Sequence, residues 1–310
     1  MKVLFIDTVH PYLEKKLKQL GFECHHAHKE SKAEIKEKIK VYHGIIIRSR
    51  FTIDVSFLKN AKNLKFIARA GSGTENINLE YIRKQNIACF TAPEGNSNSV
   101  AEHALGMILC LLNNIKKSDE EIRKDVWERE NNRGTELNKK TIGIIGYGNT
   151  GSAFAKVVEG LGVKILAYDK YKKKFPFESS MQQIFKKADI VSLHIPLNTE
   201  TLKICNQEFI DKFSKPIYII NTSRGKCIDT KALVSGLKNK TILGVCLDVF
   251  EYEEKSFSSL KLKQNSKEMT YLKNSKNTIL TPHIAGWTYE SKYKIAEVLG
   301  RKIEDYFKTK

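Results

Sequence analysis

Residues 141–162, TIGIIGYGNTGSAFAKVVEGLG, leave the chain little choice of fold. A β-branched apolar run ends at once in Gly146, Gly148 and Gly151, spaced GxGxxG, and a helical pattern starts on the third glycine. That order builds a phosphate cradle. Gly146 permits a tight turn, Gly148 lets a diphosphate approach the backbone, and Gly151 lets helix and strand pack closely, while the positive helix end faces the anion. Asn149 and Thr150, between the glycines, belong to the same site. A second strand, KILAYD, ends in Asp169, separated from Gly151 by seventeen residues, where a carboxylate accepts hydrogen bonds from ribose hydroxyls and repels a 2′-phosphate. Strand, glycines, helix, strand and acid in register predict a dinucleotide site that favours NAD. Lys170 and Lys172 pull against that preference.

Short Ile/Val-rich runs alternate with amphipathic helical patterns over nearly the whole chain, which predicts an α/β protein with parallel sheets. VLFID, GIIIR, KFIARA and IACFT read as strands of one sheet; TIGIIG, KILAYD, DIVSLH, IYIIN and ILGVCLDVF read as strands of another. At 310 residues the chain exceeds what one core supports, since single cores stop growing at about 250–300 residues. The apolar pattern VAEHALGMILCLLNNI predicts a helix buried in a core or against a second subunit. The lysine- and serine-rich stretch 255–277 reads as a long exposed excursion.

A net charge of +18 raises the question of nucleic acid, but the lysines are dispersed over helix faces and loops without arginine and aromatic interleaving. No specific nucleic-acid partner is expected. The six cysteines are scattered without a CxxC or Cys/His cluster, so neither a disulfide frame nor a metal site is expected. Met1 leads straight into a strand, and the longest apolar run falls far short of the roughly 18 residues of a membrane span. A cytoplasmic protein is the expectation.

A nicotinamide cofactor exchanges hydride, so the chain must also hold a substrate and move a proton. NTSRGKCID puts Arg224 after the strand IYIIN, where a planar guanidinium can hold a carboxylate by two hydrogen bonds. LDVFEYEE follows the next strand with Asp248, Glu251, Glu253 and Glu254, and TPHIAG follows a further one with His283. Taken singly, Arg224 reads as a surface-loop arginine and His283 as one histidine among eight. Each on its own strand end, they read together as a site for proton transfer.

At this point the chain resembles the D-isomer-specific 2-hydroxyacid dehydrogenases. The resemblance rests on RSRFTID, RAGSGTENIN, NSNSVAEHALGMIL, WERENNRGTELNKKTIGIIGYGNTG, HIPLNTET, NTSRGKCID, LDVFEYEE and TPHIAG, in that order. It implies two doubly wound parallel-sheet domains. A Rossmann-type NAD domain, residues 93–286, would be inserted into a flavodoxin-like substrate domain, residues 1–92 and 287–310, with a cleft between them. By the resemblance Arg224 grips the acid, His283 is proton donor and acceptor, and Glu253, five residues after Asp248, is its partner. Glu254 stands where the family usually has proline. Asp248 and the backbone after Thr222, at Ser223, would line the nicotinamide side of the cofactor and Ile195 and Pro196 the adenine side, with His283 and Gly286 also in the cofactor site. Arg48, Arg69, Gly71, Ser72 and Gly73 would bind substrate, the glycines through backbone N–H groups. The helix around Val100 to Asn114 resembles the family's dimer element, so a homodimer is expected.

Arg48 and Arg69 suit a phosphorylated acid, and the resemblance is closest to the branch acting on 3-phosphoglycerate, the first step of serine biosynthesis. HIAGWTYESK, with Trp287, is also similar to the erythronate-4-phosphate branch, and glyoxylate or hydroxypyruvate reduction is a further alternative. The chain stops soon after its last helix, so the small regulatory domain many phosphoglycerate enzymes carry is not expected. An NAD-sensing corepressor-like binding protein is the reading from a different class.

Overall fold

A computed structural model describes residues 1–253 and 266–308. Expectations that fall on 254–265, including the turn at Glu254 and the first part of the lysine-rich stretch, lie outside the described residues. The chain divides into two compact units, one of Met1–Ser97 with Trp287–Lys310, the other centred on Asn98–Glu253 and continuing to Gly286.

The first unit holds β1 (Lys2–Phe5), β2 (Glu23–His26), β3 (Gly44–Ile47), β4 (Phe66–Arg69) and β5 (Ala88–Phe90), all parallel, in the order β2-β1-β3-β4-β5. This is the flavodoxin-like order, and its direction of winding reverses between β1 and β3. Alternation along each strand feeds both faces. Leu4, Ile6, Ile45 and Ile47 enter one core with Ile35, Phe57 and Ile82. Val3, Phe5 and Ile46 enter the other with Leu13, Phe66, Leu299 and Ile303. The last two come from the helix Tyr289–Lys308, which covers this face.

Residues 93–97, expected in the other domain, pack here. A Cβ on Gly95 would stand 2.7 Å from the Ile295 backbone nitrogen, and Lys302 Nζ donates to Thr91 O at 2.9 Å and Glu94 Oε1 at 2.8 Å. Sequence reading also missed β2. Its residues, ECHH, have no apolar run because the strand is a partly exposed edge.

The second unit holds β6 (Thr141–Ile145), β7 (Lys164–Tyr168), β8 (Ile190–Leu193), β9 (Ile217–Asn221), β10 (Ile242–Leu247) and β11 (Thr278–Leu280). They form a parallel sheet in the order β11-β10-β9-β8-β6-β7, so the winding reverses between β6 and β8. Ile142 and Ile144 face a core that contains Ala104, Ile108 and Leu111 of the helix Ser97–Leu112. Ile145 faces the other core with Val191, Ile219 and Leu247. Within this unit the apolar helix is thus a core helix.

The stretch expected as an exposed excursion contains the helix Lys267–Asn274, capped by Ser266, whose hydroxyl accepts from the Met269 N–H at 3.4 Å. Met269 and Leu272, three apart among lysines, are its buried face. Among the described residues no helix is long and apolar enough to cross a membrane.

Candidate active site

The winding reversal of the second sheet puts the loops after β6 and β8 side by side, the position where open α/β sheets bind ligands. Gly146 has φ +94°, and a Cβ there would lie 2.4 Å from the His194 carbonyl oxygen. A Cβ on Gly151 would lie 1.9 Å from Gly146 O, so neither site admits a side chain. Gly148, by contrast, has nothing within 4 Å, and it begins the helix Asn149–Glu159 without a side-chain cap. The open backbone therefore meets an uncapped helix end, whose first N–H groups suit an anion.

Thr150 Oγ1 lies 3.3 Å from His194 Nδ1, and His194 Nε2 lies 2.8 Å from Ser192 Oγ. Burial pushes the His194 pKa down to about 3, so the cradle floor is neutral. Ile195 and Pro196 follow it in the adjoining loop, where Pro196 O accepts from Thr201 Oγ1 at 2.6 Å.

Asp169 Oδ2 accepts from Tyr147 N at 2.8 Å, and Oδ1 accepts from Tyr171 N and Lys172 N, each at 2.9 Å. Burial raises its pKa, but these backbone bonds and Lys172 outweigh that and hold it below the usual carboxylate value. Of about four acceptor positions on a carboxylate, three are filled by backbone, leaving one on Oδ2 for a ribose hydroxyl. Lys170 is engaged by Glu200 at 2.6 Å. Past β9, Thr222 Oγ1 is buried with no hydrogen-bond partner among the described residues. A buried hydroxyl in that state is rare in proteins and fits the polar end of a bound ligand. Cradle, acid and unpartnered hydroxyl together suit a dinucleotide.

The loops after β9, β10 and β11 carry the remaining groups. Asn221 Oδ1 accepts from Ser223 N at 3.0 Å and Ser223 Oγ at 2.8 Å, and its Nδ2 donates to Arg224 O at 3.0 Å. Arg224 Nη1 donates to Ser223 O at 2.7 Å. A Cβ on Gly225 would stand 1.9 Å from both the carbonyl carbon and the oxygen of Phe250, so the arginine loop rests on the backbone leading to Glu253.

Glu253 Oε1 accepts from Phe250 N at 2.6 Å, and Oε2 lies 2.8 Å from His283 Nδ1. Glu251 is occupied elsewhere, accepting from Thr230 Oγ1 at 2.8 Å and pairing with Lys203 at 2.9 Å. The geometry thus brings Glu253, not Glu251, to the histidine.

His283 is itself in the left-handed region, φ +56°. Such a conformation costs a non-glycine residue about 1–3 kcal/mol and persists only where the surroundings over-determine it. Asp248, 1% exposed, does so: Oδ1 accepts from Thr281 Oγ1 at 2.6 Å and Ile284 N at 2.8 Å, Oδ2 from Ala285 N at 2.8 Å. The His283 N–H donates to Asp248 O at 2.8 Å. Three of the acceptor positions of the Asp248 carboxylate are therefore used to hold the His283 loop, leaving little of it to face a cofactor. Gly286 ends this loop.

In the first unit Arg48 follows β3 at the winding reversal, and Arg69 ends β4 in register with Ile47. Arg48 N donates to Asp7 Oδ2 at 2.6 Å, and the guanidinium carbon lies 4.1 Å from the centre of the Trp287 ring. Burial lowers the Arg48 pKa, without depriving an arginine of its charge near neutral pH. Gly71 has φ +152°, and a Cβ there would lie 1.7 Å from Arg69 Nη1, so that guanidinium covers the glycine. The Gly71 N–H donates to Arg69 O at 2.8 Å, and Ser72 Oγ donates to Asn96 Oδ1 at 2.8 Å. The Gly71 amide, expected to meet substrate, is thus engaged inside its own loop. Gly73 lies two residues further along it.

Residues 105–285 match the family model for the D-isomer specific 2-hydroxyacid dehydrogenase, NAD binding domain. The chain belongs to the D-isomer-specific 2-hydroxyacid dehydrogenase family. It is 34% identical over 287 residues to D-3-phosphoglycerate dehydrogenase of Synechocystis, a match covering 89% of this chain and 49% of that protein. With hydroxypyruvate reductase of Thermotoga maritima it shares 33% identity, covering 92% of this chain and 90% of that one. The crystal structure of Aquifex aeolicus D-lactate dehydrogenase, complexed with NAD and lactic acid, superposes with a TM-score of 0.83 at 29% identity, covering 100% of this chain and 96% of that chain. The chain spans about half the length of the phosphoglycerate dehydrogenases it matches, 49% and 56% in two cases.

The second unit of this 2-hydroxyacid dehydrogenase family member is accordingly an NAD-binding domain. Within it, sequence reading missed Asn221, Thr281, His194 and His103. His103 Nε2 lies 3.0 Å from Thr281 Oγ1 and 3.7 Å from Asp248 Oδ1. Since the Thr281 hydroxyl proton goes to Asp248, the threonine oxygen accepts from His103. The signal was a histidine inside VAEHALGMIL, an otherwise apolar helix whose polar group needs a partner.

Proposed function

We propose that the chain catalyses NAD-dependent interconversion of a D-2-hydroxy acid and its 2-keto acid. The observation that carries this is the 2.8 Å contact of Glu253 Oε2 with His283 Nδ1 on an NAD-binding domain. Bound NAD supplies the hydride acceptor for C2. The chain's own residues do the rest. Arg224, braced by Asn221, binds the substrate carboxylate through paired N–H donors. With Nδ1–H donated to Glu253, His283 takes the hydroxyl proton at Nε2 on oxidation and returns it on reduction. Glu253, anchored by the Phe250 N–H, fixes the ring and stabilises the imidazolium.

The finer reading is oxidation of D-3-phosphoglycerate to 3-phosphohydroxypyruvate in the cytoplasm, the first step of serine biosynthesis, with Arg48 and Arg69 taking the phosphate. The Synechocystis relative and the two arginines support it. Hydroxypyruvate reduction is the second reading, favoured by the Thermotoga relative, which the chain matches over nearly its full length. A homodimer belongs to the first reading; the exposed apolar row Ile115, Ile122, Val126 and Trp127 supports it, and sedimentation checks it.

The test is a panel of 3-phosphoglycerate, erythronate-4-phosphate and hydroxypyruvate with NAD and NADP, repeated with His283→Asn. The variant is expected to lose at least about a hundredfold in kcat while its NAD affinity stays within about twofold. Equal turnover by both proteins would refute the role of His283.

A further inference from the structure

Trp287 and Lys292 have no part in the chemistry above, yet they complete an unusual charge arrangement in the first unit. The Arg48 guanidinium lies 4.1 Å and the Lys292 ammonium 4.9 Å from the centre of the same indole ring. Each contact is within cation–π range. Among the described residues neither cation has an ion-pair partner. Asp7 favours the charge of Arg48, but its Oδ2 accepts from the backbone N–H groups of Arg48 at 2.6 Å and Arg50 at 3.4 Å. Two cations on one ring with no carboxylate salt bridge repel each other, and an anion would relieve that repulsion.

The cluster is held in place from below. Thr288 N donates to Ser291 Oγ and Ser291 N donates to Thr288 Oγ1, both at 3.0 Å, a reciprocal cap that fixes the start of the helix Tyr289–Lys308. The Lys292 N–H donates to Thr288 O at 3.2 Å. Trp287 remains 49% exposed and Lys292 is exposed, so the ring and the lysine are open to a solute, while Arg48 is half-buried beside them. Arg48 also stands at the winding reversal of its sheet, where open α/β folds bind ligands.

We propose that Trp287 and Lys292 are specificity-determining residues that select a D-2-hydroxy acid bearing a remote phosphate. This rests on reading the chain as a D-2-hydroxyacid dehydrogenase. Trp287 is a positioning residue: its ring holds the Arg48 guanidinium, whose Nη1 also donates to Thr8 O at 3.5 Å, and leaves the other donors to the phosphate. Lys292 supplies the second positive charge that a dianion needs and that an acid with only its carboxylate does not.

The closing experiment compares 3-phosphoglycerate with D-glycerate, the same acid without the phosphate, on the full chain. Lys292→Gln and Trp287→Ala are expected to raise KM for 3-phosphoglycerate about tenfold, about 1.4 kcal/mol, with kcat for either acid and KM for D-glycerate within about twofold. Trp287→Phe should keep most of the wild-type value. Equal changes on both acids, or none, would overturn the assignment.

A second readout needs no turnover. The chain has two tryptophans, so Trp127→Phe leaves Trp287 as the only indole emitter. Its emission should respond saturably to 3-phosphoglycerate and not to D-glycerate, with Kd about tenfold weaker in Lys292→Gln. The same response to both acids, or no response, overturns the cluster. If no acid is turned over while this response persists, the dehydrogenase reading fails and the phosphate site stands.

Discussion

Thr281→Val removes the hydroxyl that donates to Asp248 and accepts from His103, and asks whether it holds the His283 loop in place. The hydroxyl donates to buried Asp248 at 2.6 Å, and a bond to a buried charged acceptor contributes about 1.5–3 kcal/mol. The left-handed conformation of His283 opposes it with about 1–3 kcal/mol of strain. These magnitudes are equal within their ranges, so losing the bond should let the loop leave its strained geometry for much of the time. At about 2 kcal/mol the shift is roughly thirtyfold in population.

Two assays read it. Amide exchange at Ile284 and Ala285, whose N–H groups donate to Asp248, should accelerate by about that factor, and kcat should fall about ten- to thirtyfold. Thr281→Ser keeps the hydroxyl and should restore both. If Thr281→Val keeps wild-type exchange and full turnover, the loop is held by something else and the reasoning is wrong.

Gly225→Ala should destabilise the NAD-binding domain by at least about 3 kcal/mol, beyond ordinary overpacking, because its Cβ would meet the Phe250 backbone at 1.9 Å; a urea midpoint within error of wild type would contradict this. His194, with its folded pKa pushed down to about 3 from 6.5, stays neutral where the unfolded chain takes up a proton. Its contribution to stability is complete above pH 6.5 and lost as pH falls toward 3, at a slope approaching about 1.4 kcal/mol per unit. His194→Gln should remove about that slope from urea midpoints measured between pH 6.5 and 5, and an unchanged slope would show that His194 is protonated in the folded protein.

The buried strands were legible because sheets covered on both faces write long Ile/Val runs, as in β3 and β6. β2 was not, since ECHH is an edge strand whose backbone pairs with β1 while its side chains stay partly exposed. The glycine cradle was legible because its spacing encodes close backbone approach, visible in the 1.9 Å between Gly146 O and a Cβ on Gly151. Asp248 was located but not understood: a carboxylate next to a strand end reads the same whether it faces a ligand or gathers the N–H groups of a loop. Likewise no local pattern announces that His283 has positive φ or that Glu251 turns to Thr230 and Lys203; the pairing of Glu253 with His283 was expected only from the spacing after Asp248 that the resemblance supplies. Those choices are made by residues distant in the chain.

The bond between His103 and Thr281 joins positions 178 residues apart. Closing so long a loop is slow relative to forming the helix on which His103 sits, because the entropy is lost before any contact repays it. The His283 loop is therefore expected to become ordered late in its domain, and during synthesis the helix waits for 178 further residues before its partner is made. Refolding experiments should show the glycine cradle, built from residues 141–196, binding NAD before the amides of Ile284 and Ala285 become protected from exchange.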